Sequence, residues 1–315
     1  MEQLTLVGEN RQGQFSRDGK EIIFQSARRP EQLNAQIYIL HLDGMKEKRI
    51  TFNDGEDSWP QFSPDGKRIV YASTTDELKE HPDSPAPSPA PSTTPASTLY
   101  EYWGGKLPDE EIYESDADGS HITRLTQSVG FDGEPDFSPD GFRILFTTTR
   151  AGQPQIFVMN NSGAGQRKWK TGDGDGFQGV YSPDGKWVAW VGDVADGKGT
   201  QIFVSSRYGG QVRRLTREPS VHLTPSWSPD DRVILFSGDV ATPSQSKIYA
   251  VDVDGSCVRQ LTSGKGNDRD PRFSPDGKMI LFASDRSGSN QLYLENFIDS
   301  GPCLKAPTAA STSKL

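Results

Sequence analysis

The sequence Phe62-Ser63-Pro64-Asp65-Gly66-Lys67 returns at Phe273–Lys278, and four looser copies occur elsewhere in the chain. The looser copies are Phe15–Lys20 (FSRDGK), Phe137–Phe142 (FSPDGF), Tyr181–Lys186 (YSPDGK) and Trp227–Arg232 (WSPDDR). Measured between the first, aromatic residues of the motif, the intervals are 47, 75, 44, 46 and 46 residues. Such a regular interval indicates an array of one supersecondary unit, so the repeat decides the fold.

Each repeat has the pattern of a four-stranded antiparallel sheet. In the second copy an aromatic residue ends the first strand, and Pro64 with Asp65-Gly66 supplies the tight turn of a hairpin. The apolar segment Ile69–Tyr71 is the second strand, Ile112-Tyr113 the third, and the fourth ends in Arg124-Leu125-Thr126. No apolar period of 3.6 residues persists. Six such units therefore predict an all-β fold, a six-bladed β-propeller.

The two ends of the chain predict how the ring closes. The sixth repeat has its third strand at Leu292–Leu294 but no Leu-Thr phrase after it, whereas Gln3-Leu4-Thr5 carries that phrase before the first motif. We therefore expect the N-terminal strand to complete the last blade and to cover its edge. Residues 1–298 are predicted to form one propeller, and residues 299–315 a disordered tail.

Composition restricts the class of protein and its partners. The 315 residues carry a net charge of −9 and are 33% hydrophobic, which does not fit a nucleic-acid surface rich in Lys and Arg. No apolar run reaches the length of a membrane span, and we expect a monomer. The start of the chain has no signal-peptide pattern, and the final Ser313-Lys314-Leu315 reads as a peroxisomal address in a eukaryotic cell only. Cys257 and Cys303 form either one disulfide or two unlinked thiols.

The motif, its six copies and the Leu-Thr phrase resemble the propeller of the TolB family, whose repeat also occurs in dipeptidyl-peptidase-like and tricorn-like propellers. The resemblance covers residues 3 to 298. It implies a WD40-like repeat array that is not an enzyme, located in the periplasm, with a Pal-like lipoprotein of the Tol–Pal system as its partner. A cytoplasmic location is the alternative. The sequence lacks the α/β domain that precedes the TolB propeller and the Gly-x-Ser-x-Gly elbow of a hydrolase domain.

Polar residues recur five positions before each motif, where we expect the loop that leads into the first strand. The residues at this position are Asn10, Asp57, Asp132, Gly176, His222 and Asp268. Four of the six are Asn or Asp, so this end of the central channel is predicted to be acidic and to attract a basic peptide or a cation. The alternative is that these side chains only stabilise turns. His222 lacks clustered partners, and no catalytic residue or metal ligand is predicted.

The long interval between the second and third motifs indicates an insertion at residues 74–108 of the second blade. Its centre is rich in Pro, Ser, Thr and Ala, a composition typical of a flexible tether. Tyr102 and Trp103 follow the Pro-rich stretch, where they would dock a partner or cover the channel. The alternative is that they only rejoin the insertion to the blade.

The leading functional hypothesis is a protein-binding scaffold without a cofactor, which presents the acidic face around the channel to a protein or peptide. One alternative is a propeller hydrolase or lyase that uses a divalent cation at the channel mouth. Another is a glycan-binding or cell-wall-binding module with Trp59, Tyr102 and Trp103 as stacking surfaces. The Asp residues of the motif are predicted to be turn formers on the opposite face.

Overall fold

The computed structural model describes residues 1–30, 32, 34–76, 109–169, 176–193 and 199–304. In this part of the chain 24 strands form six antiparallel four-stranded sheets, with no helix. The six-bladed all-β prediction is confirmed. The aromatic residues, the β-branched residues and the turn-forming Asp-Gly pairs of every repeat favour these short strands over any other element.

Each blade runs from an inner strand at the channel to an outer strand at the rim. Blade 1 contains β2 (Glu9–Phe15), β3 (Glu21–Ala27), β4 (Gln36–His41) and β5 (Lys46–Arg49), and blade 2 contains β6 (Asp57–Phe62), β7 (Arg68–Ser73), β8 (Glu111–Asp116) and β9 (Thr123–Arg124). Blade 3 contains β10 (Asp132–Phe137), β11 (Arg143–Thr148), β12 (Gln155–Asn160) and β13 (Arg167–Lys168), and blade 4 contains β14 (Gly176–Tyr181), β15 (Trp187–Asp193), β16 (Thr200–Ser206) and β17 (Arg213–Arg214). Blade 5 contains β18 (His222–Trp227), β19 (Val233–Gly238), β20 (Lys247–Asp252) and β21 (Val258–Gln260), and blade 6 contains β22 (Asp268–Phe273), β23 (Met279–Ser284), β24 (Gln291–Asn296) and β1 (Glu2–Gln3).

The N-terminal strand closes the ring as the sequence predicts. Strand β1 pairs with β24, with Glu2 opposite Leu294. The Leu292 carbonyl accepts a hydrogen bond from the backbone N–H of Leu4, and Thr5 Oγ1 accepts one from Leu292 N–H at 2.9 Å. The same threonine contact recurs in blades 1, 2, 4 and 5, from the hydroxyls of Thr51, Thr126, Thr216 and Thr262. The first residues of the chain therefore act as the outer strand of blade 6.

The motif forms the hairpin between the first and second strands of every blade. In blade 2, Ser63 Oγ donates to Asp65 Oδ1 at 2.6 Å, and the same carboxylate oxygen accepts the backbone N–H of Lys67. Gly66 has a φ of 71°, a conformation that costs a glycine little. The motif aspartates are thus turn formers. We call the end of the channel that carries these hairpins the hairpin face, and the opposite end the loop face.

The hydrophobic core consists of thin layers between neighbouring blades. One layer joins Ile23 and Ile39 of blade 1 to Phe62, Ile69 and Tyr71 of blade 2. Equivalent layers fill the other blade boundaries. Because each layer is small and the outer surfaces are polar, a chain with only 33% hydrophobic residues is sufficient for this fold.

A disulfide attaches the segment after the last strand to blade 5. Cys257 and Cys303 are bonded, with their Cα atoms 5.1 Å apart. Leu304 N–H donates to the Val258 carbonyl at 2.7 Å, and Asp299 pairs with Arg259. Of the two alternatives for the cysteines, the structure contains the bridge. No helix among the described residues has the length and apolar character needed to cross a membrane.

Candidate functional site

A β-bulge interrupts every inner strand three residues before its aromatic motif residue. The bulged residues, which we call the bulge ring, are Gln12, Trp59, Glu134, Gln178, Thr224 and Asp270. Their φ angles lie between 52° and 56°. This left-handed conformation is unfavourable for residues other than glycine, so surrounding contacts must stabilise it.

Hydrogen bonds between neighbouring blades supply this stabilisation. Four members of the bulge ring accept the backbone N–H of the next member with their side chains: Gln12 from Trp59 at 2.6 Å, Glu134 from Gln178 at 3.1 Å, Gln178 from Thr224 at 2.7 Å, and Asp270 from Gln12 at 3.3 Å. Gln61 and Asp136 similarly accept the N–H groups of Phe137 and Tyr181. These bonds cross five of the six blade boundaries of the channel wall, all but that between blades 5 and 6, and fix the joined blades relative to one another.

Glu110, Glu134 and Asp136 have unusually high pKa values, as does Asp57 at the start of β6, whose pKa burial raises to about 6. The pKa of Glu110 is raised to about 8, mainly by burial; the hydroxyl of Ser58 opposes this shift, and the carboxylate of Glu134 adds to it. Burial likewise raises the pKa of Glu134 to about 7 and that of Asp136 to about 6. Perturbed carboxyl groups are frequent at functional sites but also occur in structural networks. Here Glu134 and Asp136 are both bonded to the neighbouring blade.

The channel is narrow at the bulge ring and wider on the hairpin face. Its narrow part has a cavity volume of about 40 Å³, enough for about three water molecules. Towards the hairpin face it opens into a cavity of about 310 Å³, which we call the funnel. The two cavities share Gln14, Gln61, Asp136 and Arg272 on their walls. A ligand larger than a few water molecules therefore binds at one of the two faces of the channel and not in its narrow part.

The residues five positions before each motif lie in the strands and not in the leading loops. Four of the predicted residues, Asp57, Asp132, His222 and Asp268, are the first residues of their inner strands, and Asn10 is the second residue of β2. All five are 0% exposed. Their expected position in exposed loops is wrong, because each side chain bonds groups that would otherwise be unpaired at the strand end. A direct contact between these side chains and a partner stays a prediction that the buried arrangement does not favour.

Two of these aspartates belong to a repeated clamp. Asp132 pairs with Arg150 at 2.7 Å, and Asp268 pairs with Arg286 at 2.7 Å. Each arginine also lies over an aromatic ring of its blade, Arg150 over Phe157 at 5.0 Å. Such charge-assisted bonds combined with cation–π contacts stabilise the junction of strand and loop.

His222 is a buried structural residue. Its Nδ1 lies 2.6 Å from the carbonyl oxygen of Thr200 and 3.1 Å from that of Ser220. Because both neighbours are acceptors, Nδ1 carries the proton and donates to them. Burial lowers the pKa of His222, so the ring is neutral at physiological pH. Within the described residues, no three His, Cys, Asp or Glu side chains are grouped as they would be around a metal ion.

The aromatic candidates have different locations. Tyr102 and Trp103 lie outside the described residues. Trp59 is a member of the bulge ring and only 8% exposed, so it offers no open surface for stacking a sugar.

Apolar side chains are exposed on three successive loops of the loop face. Leu6, Phe52 and Val129 are 81%, 73% and 86% exposed and lie in the loops that lead into blades 1, 2 and 3. Leu6 and Phe52 each directly follow the Leu-Thr or Ile-Thr phrase of a blade. Single exposed apolar side chains are common on protein surfaces, and these three are separate residues on consecutive blades.

The bulge ring was missed by sequence reasoning, although a signal for it exists. Two residues before the aromatic motif residue, every repeat has Gly or Pro: Gly13, Pro60, Pro135, Gly179, Pro225 and Pro271. Gly or Pro inside a strand pattern indicates a bulge or a close backbone approach. In four repeats the residue immediately before it, Gln12, Glu134, Gln178 or Asp270, is a polar residue whose side chain bonds the next blade.

Comparisons with known proteins agree with this architecture. The TolB beta propeller domain family matches residues 77–239 and 240–305 of the chain. The Tol-Pal system protein TolB of Anaeromyxobacter dehalogenans is 34% identical over 115 residues, which are 36% of this chain and 26% of that protein. A Protein TolB homolog of Chlorobium luteolum is 28% identical over 172 residues, covering 50% of this chain and 37% of its own length. The chain thus matches well under half the length of these relatives.

Solved structures of very different proteins share the fold. TolB from Acinetobacter baumannii superposes with a TM-score of 0.65 at 23% identity, over 92% of this chain and 61% of its own. Oligogalacturonate lyase from Vibrio parahaemolyticus superposes with a TM-score of 0.63 at 15% identity, over 95% and 81%. At these identities the structures establish the fold alone. The family match, which extends over most of the chain and agrees with the six repeats, establishes more: this chain belongs to the TolB beta propeller domain family.

Proposed function

We propose that this chain is a protein-binding scaffold without catalytic activity, with a Tol–Pal-type role in the bacterial envelope and a Pal-like lipoprotein as its partner. The family match carries the proposal, together with relatives that are named as proteins of the Tol-Pal system. It includes a periplasmic location. The loop face is the docking surface.

The contacts on the loop face support this assignment. Leu6, Phe52 and Val129 expose apolar surface on consecutive blades. Beneath them, buried side chains such as Asp57 and Asp132 fix the loops through internal hydrogen bonds, which reduces the entropy lost on binding. The buried acids therefore contribute by positioning the surface.

A titration of the purified chain with the soluble domain of a Pal-like lipoprotein from the same organism tests the proposal. We expect the combined variant Leu6→Ser, Phe52→Ser and Val129→Ser to bind at least about tenfold more weakly, since truncated anchor side chains commonly cost that much. The matched control is Phe142→Ser, which removes an equally exposed phenylalanine (69%) from the hairpin face. Unchanged affinity of the triple variant, in a protein with normal circular dichroism, would contradict the assignment of the loop face.

The insertion is tested separately by capture of partners from an envelope extract. Intact protein and a variant lacking residues 78–106, which retains Asp76 and its hydrogen bond from Tyr113, are compared. Recovery of the same proteins by both would exclude the insertion as the docking element. Calcium, manganese or zinc bound stoichiometrically after dialysis would instead favour the metal-dependent hydrolase or lyase.

A further inference from the structure

Two arginines break the repeat pattern, and both line the funnel of the hairpin face. The third residue of the motif is Pro in five copies but Arg17 in the first. The residue before the aromatic is Gln, Gln, Asp, Val or Ser in blades 1 to 5 but Arg272 in blade 6. Blades 6 and 1 are neighbours in the ring, and Gly19 of one hairpin packs beside Pro275 of the other. Both exceptions therefore occur in the same sector of one cavity.

Arg272 has hydrogen-bonding capacity that its surroundings do not use. Its Nη1 donates to the carbonyl of Pro271 at 2.9 Å, and no carboxylate of the described residues lies within ion-pair distance of it. Of the two acids that influence its pKa, Asp136 is bonded to Gln61 and Tyr181, and Asp270 is bonded through Oδ2 to Arg11 and Gln12, whereas Asp270 Oδ1 has no hydrogen-bond partner among the described residues. A guanidinium has five N–H donors. A partly buried one with a single bond to protein is suited to an incoming carboxylate.

The charge balance of the funnel also favours an anion. Its charged lining residues are Arg17, Arg272 and Asp136, so the funnel is net positive in a chain of net charge −9. Arg17 is exposed at the rim and donates to the carbonyl of Pro64 at 3.2 Å. The motif aspartates around the rim are bonded internally, as Asp18 is to Ser16 and to the backbone of Lys20. Because salt largely screens exposed charges that are more than about 8 Å apart, the charges that line the funnel contribute most to the electrostatic potential inside it.

The shape of the funnel selects the kind of anion. Its walls are aromatic and proline side chains, including Phe15, Tyr181, Trp227 and Pro183, and its volume is about 310 Å³. This space accommodates a few side chains with their backbone and not a folded domain. Aromatic and proline walls favour apolar and proline-containing peptide segments.

We propose that the funnel of the hairpin face binds an acidic, extended polypeptide segment of a partner, whose Asp or Glu carboxylate is held by Arg272 and Arg17. Neighbouring apolar residues of the segment pack against the aromatic wall. The site lies on the face opposite to Leu6, Phe52 and Val129, so it does not depend on the proposed docking of a Pal-like lipoprotein. It assigns a second binding surface to the propeller.

Fluorescence anisotropy with three labelled peptides tests the proposal. The probe is Gly-Ser-Pro-Glu-Phe-Glu-Pro-Ser-Gly, blocked at both ends, with versions in which both Glu are replaced by Gln or by Lys. We expect the wild-type chain to bind the Glu peptide at least about tenfold more tightly than the Gln peptide. The Gln peptide replaces charge-assisted hydrogen bonds to the arginines by weaker neutral ones, and the lost binding free energy corresponds to that factor. Equal binding of the Glu and Gln peptides, or no binding of either, overturns the proposal.

Two variants and one control locate the site. Arg272→Gln should abolish the preference for Glu, and Arg17→Pro should weaken the Glu peptide about threefold; the second change restores the residue that five other hairpins have. Lys20→Gln removes the same charge from the same hairpin but does not line the funnel, so it should have no effect. A retained Glu preference in folded Arg272→Gln refutes the assignment. If that variant does not fold, an unchanged affinity of Arg17→Pro for the Glu peptide refutes it. If acetate displaces the peptide at a concentration equal to that of the peptide, the funnel is a site for small carboxylates, and the proposal of a polypeptide ligand is overturned.

Discussion

Truncating Leu4 should weaken the closure of the ring more than any other single change near the N-terminus. Leu4 is 7% exposed and packs in a layer with Phe24 and Leu40 of blade 1 and Leu281 and Leu292 of blade 6. It therefore packs between blade 6, which its own strand β1 completes, and blade 1, which follows it in the chain. Breaking this layer removes the contact on which ring closure depends.

The size of the effect follows from the burial of the side chain. Leu4→Ala removes about three methylene equivalents, or about 2 kcal/mol of transfer free energy, and the cavity left behind adds about 1 kcal/mol. A loss of about 3 kcal/mol corresponds to a decrease in Tm of roughly 6–12 °C. Thermal unfolding followed by tryptophan fluorescence and by circular dichroism measures it.

Two control variants make this prediction specific. Leu6→Ala changes a residue that is 81% exposed two positions away and should leave Tm unchanged. Leu125→Ala changes the equivalent outer-strand leucine of blade 2, which is also 7% exposed, and should cost as much as Leu4→Ala. If Leu4→Ala behaves like Leu6→Ala, the N-terminal strand does not close the ring in solution.

Three further predictions concern the disulfide, the channel and the clamp. Reduction of Cys257–Cys303, which joins residues 46 apart, should lower the free energy of unfolding by up to about 4 kcal/mol; dithiothreitol should lower Tm in the wild type but not in the double serine variant. The folded-state pKa of Glu110, raised to about 8, means that its ionisation removes stability as pH rises from about 5 to 8. Glu110→Gln should therefore be more stable than the wild type in urea titrations at pH 9 and similar at pH 5, and equal curves at both pH values would contradict this. Asp132→Asn leaves the partly exposed Arg150 without its ion pair and should cost about 2 kcal/mol in the same assay, while binding of the Pal-like lipoprotein at 20 °C persists. Loss of that binding without loss of stability would instead make Asp132 a contact residue.

The fold was predictable because the repeat carries its determinants locally. Asp65-Gly66 forms the hairpin through bonds within six residues of sequence, and the Thr5 phrase is recognised by analogy with Thr51 and Thr126. A sequence motif that occurs six times at a regular interval can be recognised even when single copies match it only loosely.

The candidate site was predicted less well, because its residues act across blades. Asp57 and Asp132 looked like loop acids, but Asn53, four positions before Asp57, and Arg150, 18 positions after Asp132, bond their carboxylates at the buried strand ends. Glu134 accepts the N–H of Gln178, 44 positions away, and no local rule indicates that contact. Such pairs become neighbours only when the ring closes.

The sequence by itself therefore determined the blade, the number of blades and the strand that completes the last one, since turns and strand patterns depend on neighbouring residues. The tertiary structure decided which polar side chains are buried, which stabilise the bulges, and which remain available to a ligand. Arg17 and Arg272 show the difference: both are visible in the sequence as exceptions to the repeat. Their position in one cavity, without carboxylate partners among the described residues, follows only from the closed ring that places blade 6 beside blade 1.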